Sequence, residues 1–173
     1  MTLRNLSFSL LLMLFSWNNS NAALEIGASI PNVDGKLESG DSISFTQFED
    51  EKYLLVYFYP KADTPGCTKQ ACSLRDAYEV LQERGVKIIG VSKDSVKSQS
   101  AFKEKYELPF SLVADSDSKV IDAFGVPKKL GFASRQAFLF KQGKLVWKDL
   151  AASTSKQAED VLEFLKTNGN PAK

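Results

Sequence analysis

The sequence predicts an α/β protein in which a mixed β-sheet is covered by helices. Two observations carry this. Runs suited to buried strands alternate with amphipathic helical runs, and the alternation ends in a hairpin followed by one more helix. The composition agrees, since 173 residues with 43% hydrophobic and 25% charged side chains suit one domain with a substantial core.

The elements follow in order. Leu24 to Gly40 mixes Gly, Pro, Asn and Asp with scattered apolar residues, which predicts an N-terminal extension of short edge strands and turns. Tyr53 to Tyr59 is an uninterrupted β-branched and aromatic run, expected to be a buried central strand that Pro60 ends. Thr64-Pro65-Gly66 leads into a helix. Cys67, Ala71, Leu74, Tyr78 and Leu81 share one face of it, so one helix is expected to run to about Arg84 and close at Gly85. Val86 to Val91 predicts a second strand, Val96 to Tyr106 a helix with Phe102 inward, and Phe110 to Ala114 a third strand. Asp117 or Ser118 is expected to cap a short helix carrying Val120, Ile121 and Phe124. Gln136 to Lys141 and Lys144 to Asp149 flank Gln142-Gly143 as a hairpin. Ser153-Thr154-Ser155 then caps a last helix, with Ala158, Val161, Leu162 and Leu165 inward.

The N-terminus differs from the rest. Arg4 supplies a positive charge, Leu6 to Trp17 is almost continuously apolar, and a polar break ends in small residues at Ser20-Asn21-Ala22. This predicts a signal peptide over residues 1–22, cut after Ala22, with residues 23–173 as a single domain. The apolar run is about twelve residues, whereas a membrane span needs about twenty, so no stable membrane association is expected. Export is the expectation, with the periplasm suggested by a short and simple leader and secretion as the alternative.

Several functions are disfavoured. A formal net charge of +1, from 22 basic and 21 acidic side chains, gives no reason to expect nucleic acid as a partner. The chain has no histidine, the commonest general base and metal ligand. Two cysteines are too few for a zinc finger or a disulfide scaffold. No cofactor and no metal are expected.

Those two cysteines carry the chemistry. Cys67 falls in the first turn of its helix, where free N–H groups and the positive end of the dipole favour an anion. A cysteine so placed is expected to be partly exposed and to ionise readily. Export leaves a structural Cys67–Cys72 disulfide as the alternative, because disulfides persist outside the cytoplasm. Helix geometry weighs against it: residues five apart are about 140° apart around the axis and about 7.5 Å apart along it. Their Cα atoms exceed the ~7 Å reach of a disulfide unless the backbone moves.

Pro60-Lys-Ala-Asp-Thr64-Pro-Gly-Cys67 follows the Pro-x-x-x-Thr-x-x-Cys pattern and resembles the active site of peroxiredoxins. With Cys72 behind it, the stretch from Tyr57 to Cys72 is similar to the bacterioferritin-comigratory-protein group, also called peroxiredoxin Q. The likeness continues through Ile89 to Ser95, Leu108-Pro-Phe110 and Ser134-Arg135-Gln-Ala-Phe-Leu139. The resemblance implies a thioredoxin-like fold and a thiol peroxidase acting on hydrogen peroxide and organic hydroperoxides. It implies Cys67 as the peroxidatic cysteine and Cys72 as the resolving one. It also implies Thr64 as a hydroxyl within reach of the sulfur, Pro60 as a shield against water, and Arg135 as the holder of the thiolate. A thioredoxin-like or other dithiol reductant and a monomer are the further implications. Gln99, Ala137 and Lys141 depart from the family, where histidine, Thr and Asp are common. An exported thiol–disulfide oxidoreductase is the runner-up, although such motifs space their cysteines by two residues rather than four.

Overall fold

The computed structural model of the chain describes residues 23–168. The leader expected over residues 1–22 lies outside them. Strands β1 (Asp34–Lys36) and β2 (Ser42–Ser44) form a small antiparallel hairpin, and a 3₁₀ turn over Phe45–Phe48 buries both of its phenylalanines. Single bridges from Ser29 to Lys144 and from Leu37 to Val113 tie this extension to the main sheet.

Strand β3 (Tyr53–Phe58) is buried at every position. After it come α1 (Pro65–Asp76), α2 (Tyr78–Glu83), β4 (Val86–Ser92), α3 (Val96–Lys105), β5 (Ser111–Ala114) and α4 (Lys119–Ala123). A two-residue ribbon, β6 (Lys128–Lys129) and β7 (Phe132–Ala133), precedes the hairpin of β8 (Gln136–Lys141) and β9 (Lys144–Asp149). Helix α5 (Gln157–Asn168) ends the described chain.

The main sheet has the order β5-β4-β3-β8-β9. Strand β3 runs parallel to β4 and antiparallel to β8, so the sheet is mixed, as the sequence predicts. Parallel neighbours need a crossover, which the helices supply. Alternation along β3 sends Tyr53, Leu55 and Tyr57 toward α1, α3 and α5, and Leu54, Val56 and Phe58 toward the N-terminal hairpin and α4. Each fully buried Leu or Phe contributes roughly 1.5–3 kcal/mol through the area it removes from water.

Glycine is required in β4. A Cβ at Gly90 would stand 2.7 Å from the Tyr57 hydroxyl oxygen and 2.8 Å from Leu112 Cδ2. Gly90→Ala is expected to cost about 1–3 kcal/mol by overpacking. Thermal unfolding is expected to show this as a drop of roughly 2–4 °C in Tm per kcal/mol. A melting curve identical to the parent's would disprove the tight seat assigned to Tyr57.

The structure corrects several local expectations. The helix expected to reach Arg84 breaks at Ala77, whose φ of −100° and ψ of 8° leave the helical range, and α2 continues beyond it. The apolar face survives the break, with Leu74 and Leu81 both fully buried, so periodicity carries no sign of it. Ser118 does precede α4, but in a left-handed conformation (φ 64°) and without a side-chain cap. Asp117, the other expected cap, accepts the Lys119 N–H at 3.4 Å. Asp115 adds a hold the sequence does not show: its buried carboxylate accepts the N–H groups of Val120 at 3.1 Å and Ile121 at 2.8 Å. Burial still pushes its pKa above the ordinary carboxylate range, against the pull of those two bonds. Ser153 acts one turn before α5, accepting from the Ser155 and Lys156 amides at 3.3 and 3.2 Å. Within α5 the Ala158 N–H reaches Ser73 Oγ of α1 at 3.3 Å, so a neighbouring helix shares the capping. The predicted hairpin is present, with φ of 46° at Gln142 and 75° at Gly143, the turn geometry that matches strand twist.

Candidate active site

Cys67 lies in the first turn of α1, just past the C-terminal end of the central strand β3. Pro65 at the start of the helix has no N–H to satisfy, and the helical ladder begins with Thr68 N–H to Thr64 O at 2.8 Å. The first-turn amides of Gly66 and Cys67 therefore precede the ladder, at the positive end of the helix. The thiol is only 2% exposed, less than the partial exposure expected, because the apolar face of α1 carries it into the core with Ala71 and Leu74. Cys72, one and a half turns on, is half-buried, and both cysteines are free thiols on one intact helix.

Arg135 stands immediately before β8, as the sequence predicts. Its Nη2 donates to Cys67 Sγ at 3.4 Å. Its Nη1 donates to Oε1 of Gln70, and Nε2 of Gln70 donates to Oε1 of Gln157 at 2.8 Å. Gly66 makes the approach possible, since a Cβ there would meet Arg135 Nη2 and Thr154 Cγ2, each at 3.3 Å. Gln70 is not among the residues the sequence singles out. Its signal is nonetheless visible there: a polar side chain three residues after Cys67, bordering the helical face of Ala71 and Leu74.

The loop between β3 and α1 is held from several sides. The Ala62 N–H donates to Asp94 Oδ2 at 2.8 Å, and Ser92 Oγ donates to the same oxygen at 2.6 Å. Asp63, at a positive φ of 56°, accepts from Lys105 Nζ at 2.8 Å and from the Tyr106 hydroxyl at 2.6 Å. The Lys105 bond first, and the Tyr106 bond second, hold its carboxyl below the usual range, so this clamp stays charged at neutral pH. Thr64 Oγ1 donates to Lys61 O at 2.9 Å, and no bond from it to Cys67 forms in this conformation. Gln99, one of the departures from the family pattern, is fully buried. It accepts from the Tyr59 hydroxyl at 2.5 Å and donates to Ser92 Oγ and Val113 O, both at 2.9 Å. Burial above all raises the Tyr59 pKa, so the phenol remains a donor. A polar chain thus runs from the core through Gln99, Ser92 and Asp94 to the loop that carries Thr64. Ala137 lies buried in β8, and exposed Lys141 sits over the Tyr53 ring.

An open groove of about 590 Å³ leads to the site, with Pro60 and Arg135 in its wall. Leu130, Phe132 and Leu150 line it, and they are 98%, 43% and 46% exposed. Among the described residues, no group of three Cys, Asp or Glu side chains is placed to hold a metal ion. No described helix is long and apolar enough to cross a membrane. A buried thiol at a helix N-terminus is touched by a guanidinium that also lines an apolar groove. It can attack a small electrophile that arrives beside Arg135.

The fold and this cysteine site together define a thioredoxin-like peroxiredoxin. Comparison with known proteins agrees. The pattern of the AhpC/TSA family matches residues 26–148. The chain is 37% identical over 151 residues to Peroxiredoxin Bcp of Bacillus subtilis, covering 83% of this chain and 96% of that one. It is 36% identical over 151 residues to the chloroplastic peroxiredoxin Q of Suaeda salsa, covering 84% and 70%. Among solved structures, a cysteine-to-serine variant of Xylella fastidiosa PrxQ superposes with a TM-score of 0.79 at 26% identity, over 86% of this chain and 99% of that one. The bacterioferritin comigratory protein of Xanthomonas campestris superposes with a TM-score of 0.76 at 31% identity, over 86% and 99%. The chain belongs to the AhpC/TSA family, among the Bcp and peroxiredoxin Q proteins, and is a thiol-dependent peroxidase.

Proposed function

We propose that the chain reduces hydrogen peroxide and organic hydroperoxides through a Cys67 sulfenic acid and a Cys67–Cys72 disulfide, which a thioredoxin-like dithiol returns to two thiols. The observation that carries this is the 3.4 Å contact from Arg135 Nη2 to a buried Cys67 Sγ in the first turn of α1. The Cys67 thiolate attacks one peroxide oxygen; the S–O bond forms as the O–O bond breaks. The leaving oxygen takes a proton and departs as water or alcohol. Charge moves from sulfur to the leaving oxygen during the step, so donors already in place stabilise the transition state without reorganising. With no histidine in the chain, activation rests on the helix N-terminus and Arg135 rather than on an imidazole base. Pro60 shares the groove wall with Arg135, and Leu130, Phe132 and Leu150 offer an alkyl group an apolar path. Alkyl peroxide reduction is an activity of the bacterioferritin comigratory protein of Xanthomonas campestris, which supports organic hydroperoxides as the substrate class.

Cys72 then attacks the sulfenic sulfur, water leaves, and the disulfide forms. The two cysteines lie about 7.5 Å apart along the helix axis, so the first turns of α1 must unwind for the bond to close. In this reading the leader over residues 1–22 carries the enzyme out of the cytoplasm, and the mature protein starts at Ala23.

The test is rapid mixing of reduced protein with one equivalent of hydrogen peroxide, followed by quenching and mass spectrometry. Sulfenic acid on Cys67 is expected first and the Cys67–Cys72 disulfide second, with amide exchange rising from Gly66 to Cys72 in the oxidised form. Unchanged exchange protection across α1 in the disulfide form would refute the unwinding. Reduction of insulin disulfides without peroxide consumption would replace the whole reading with a thiol–disulfide oxidoreductase.

A further inference from the structure

Gln70 and Gln157 are 87 residues apart in sequence, and both are fully buried. Gln70 stands three residues after Cys67 on α1, and Gln157 is the first residue of α5. We propose that Gln157 is a positioning residue for Arg135, acting through Gln70, and that the pair also latches α1 in its reactive form. The inference rests on the peroxidase reading above, in which Arg135 holds the Cys67 thiolate.

The Gln70 amide must face one way. It has one acceptor oxygen and one donor nitrogen. Arg135 can only donate, so the oxygen of Gln70 must face Nη1. Gln157 enforces that choice, because its Oε1 takes the Nε2 of Gln70 at 2.8 Å. Without an acceptor at position 157, the Gln70 amide loses the reason to keep that orientation. Turned over, it would set its NH₂ against the guanidinium, donor against donor, and Nη2 would lose its seat on Cys67 Sγ.

The other end of the Gln157 amide separates this role from packing. Its Nε2 is buried without a hydrogen-bond partner. A buried unpaired donor is costly, and an apolar side chain of the same volume would fill the space without that cost. What the glutamine contributes here is its oxygen.

The same bonds act against the second half of the cycle. Gln70 lies between Cys67 and Cys72, in the segment that must unwind for the disulfide to form. Its bonds to Arg135 and Gln157 exist only while α1 is intact, so they favour peroxide attack and oppose resolution. Weakening them therefore moves the two steps in opposite directions. A loss of general stability would not produce that signature.

The experiment separates the steps by rapid quench with hydrogen peroxide. In Q157M, which keeps the volume and removes the oxygen, sulfenic acid formation is expected to slow about tenfold, which corresponds to about 1.4 kcal/mol of transition-state stabilisation. Disulfide formation is expected to accelerate severalfold. Q157E keeps an acceptor and drops the unpaired donor, and it is expected to recover most of the oxidation rate. The double variant Q70M/Q157M is expected to be no slower than Q70M, because both act through one chain. Parental oxidation kinetics in Q157M, or equal slowing in Q157M and Q157E, would overturn the proposal. If Q157M does not fold, Q70M decides, and a parental oxidation rate there overturns it too. Cys67→Ser separates the levels: residual peroxidase activity in that variant sinks the reading of the site. A dead Cys67→Ser beside a normal Q157M sinks only the relay.

Discussion

Cys67→Ser is expected to abolish peroxide reduction, whereas Cys72→Ser is expected to keep one turnover and lose the cycle. The asymmetry follows from where the two sulfurs sit. Cys67 is the buried group that Arg135 touches at the start of α1. A serine hydroxyl there would not ionise at neutral pH and would be a poor nucleophile toward an O–O bond. Cys72 is half-buried further along the helix, and it is not expected to take part in the attack itself. Without it the sulfenic acid on Cys67 forms at the parental rate and then has no intramolecular thiol to meet. Excess peroxide is expected to carry it on to sulfinic acid, which a dithiol donor does not reverse. The measurement is peroxide consumed per protein without donor, then with a thioredoxin-like donor, alongside the mass of the Cys67 peptide. Equal loss of the first turnover in both variants would contradict the division of roles.

Arg135→Met is expected to lower kcat/KM for hydrogen peroxide by about 10²–10³-fold, the usual effect of deleting one pre-oriented donor at a site of developing charge. Arg135 serves two partners at once, Cys67 Sγ through Nη2 and Gln70 through Nη1. Arg135→Lys is expected to recover little, because a single ammonium lacks the fork that spans both. Stopped-flow oxidation over a range of peroxide concentrations gives the rate constant, and a thermal melt checks that the fold is intact. A loss of less than about threefold in a folded Arg135→Met would move the main electrostatic role to the helix N-terminus.

Much of this architecture is legible before folding. The central strand is visible as the run Tyr53 to Tyr59, because a strand covered on both faces has no polar side to show. The hairpin at Gln142-Gly143 is visible because its turn needs positive φ and Gly143 supplies it without steric cost, between two runs suited to strands. The break at Ala77 is invisible: alanine is the best helix former, and the apolar face continues past it. The capping of α4 by Asp115 is equally hidden, because a buried carboxylate four residues before the helix looks like a loop residue until the chain turns back over it.

The same division runs through the site. By itself the sequence set Pro60, Thr64 and Cys67 within one loop and one helical turn, and set the spacing that puts Cys72 out of reach on an intact helix. Contiguous residues carry their geometry in their order. Spacing is silent on Arg135, 68 residues from Cys67, which only the family resemblance pointed to; the tertiary structure brings it to the sulfur, and it alone decided that Gln157 would meet Gln70 across 87 residues. It also turned Gln99 from a departure in a family pattern into the buried partner of Tyr59. Apolar periodicity reports which side of an element is buried. It does not report which polar atoms meet there, and that depends on strand order, on β8 lying antiparallel beside β3 and on α5 closing over α1.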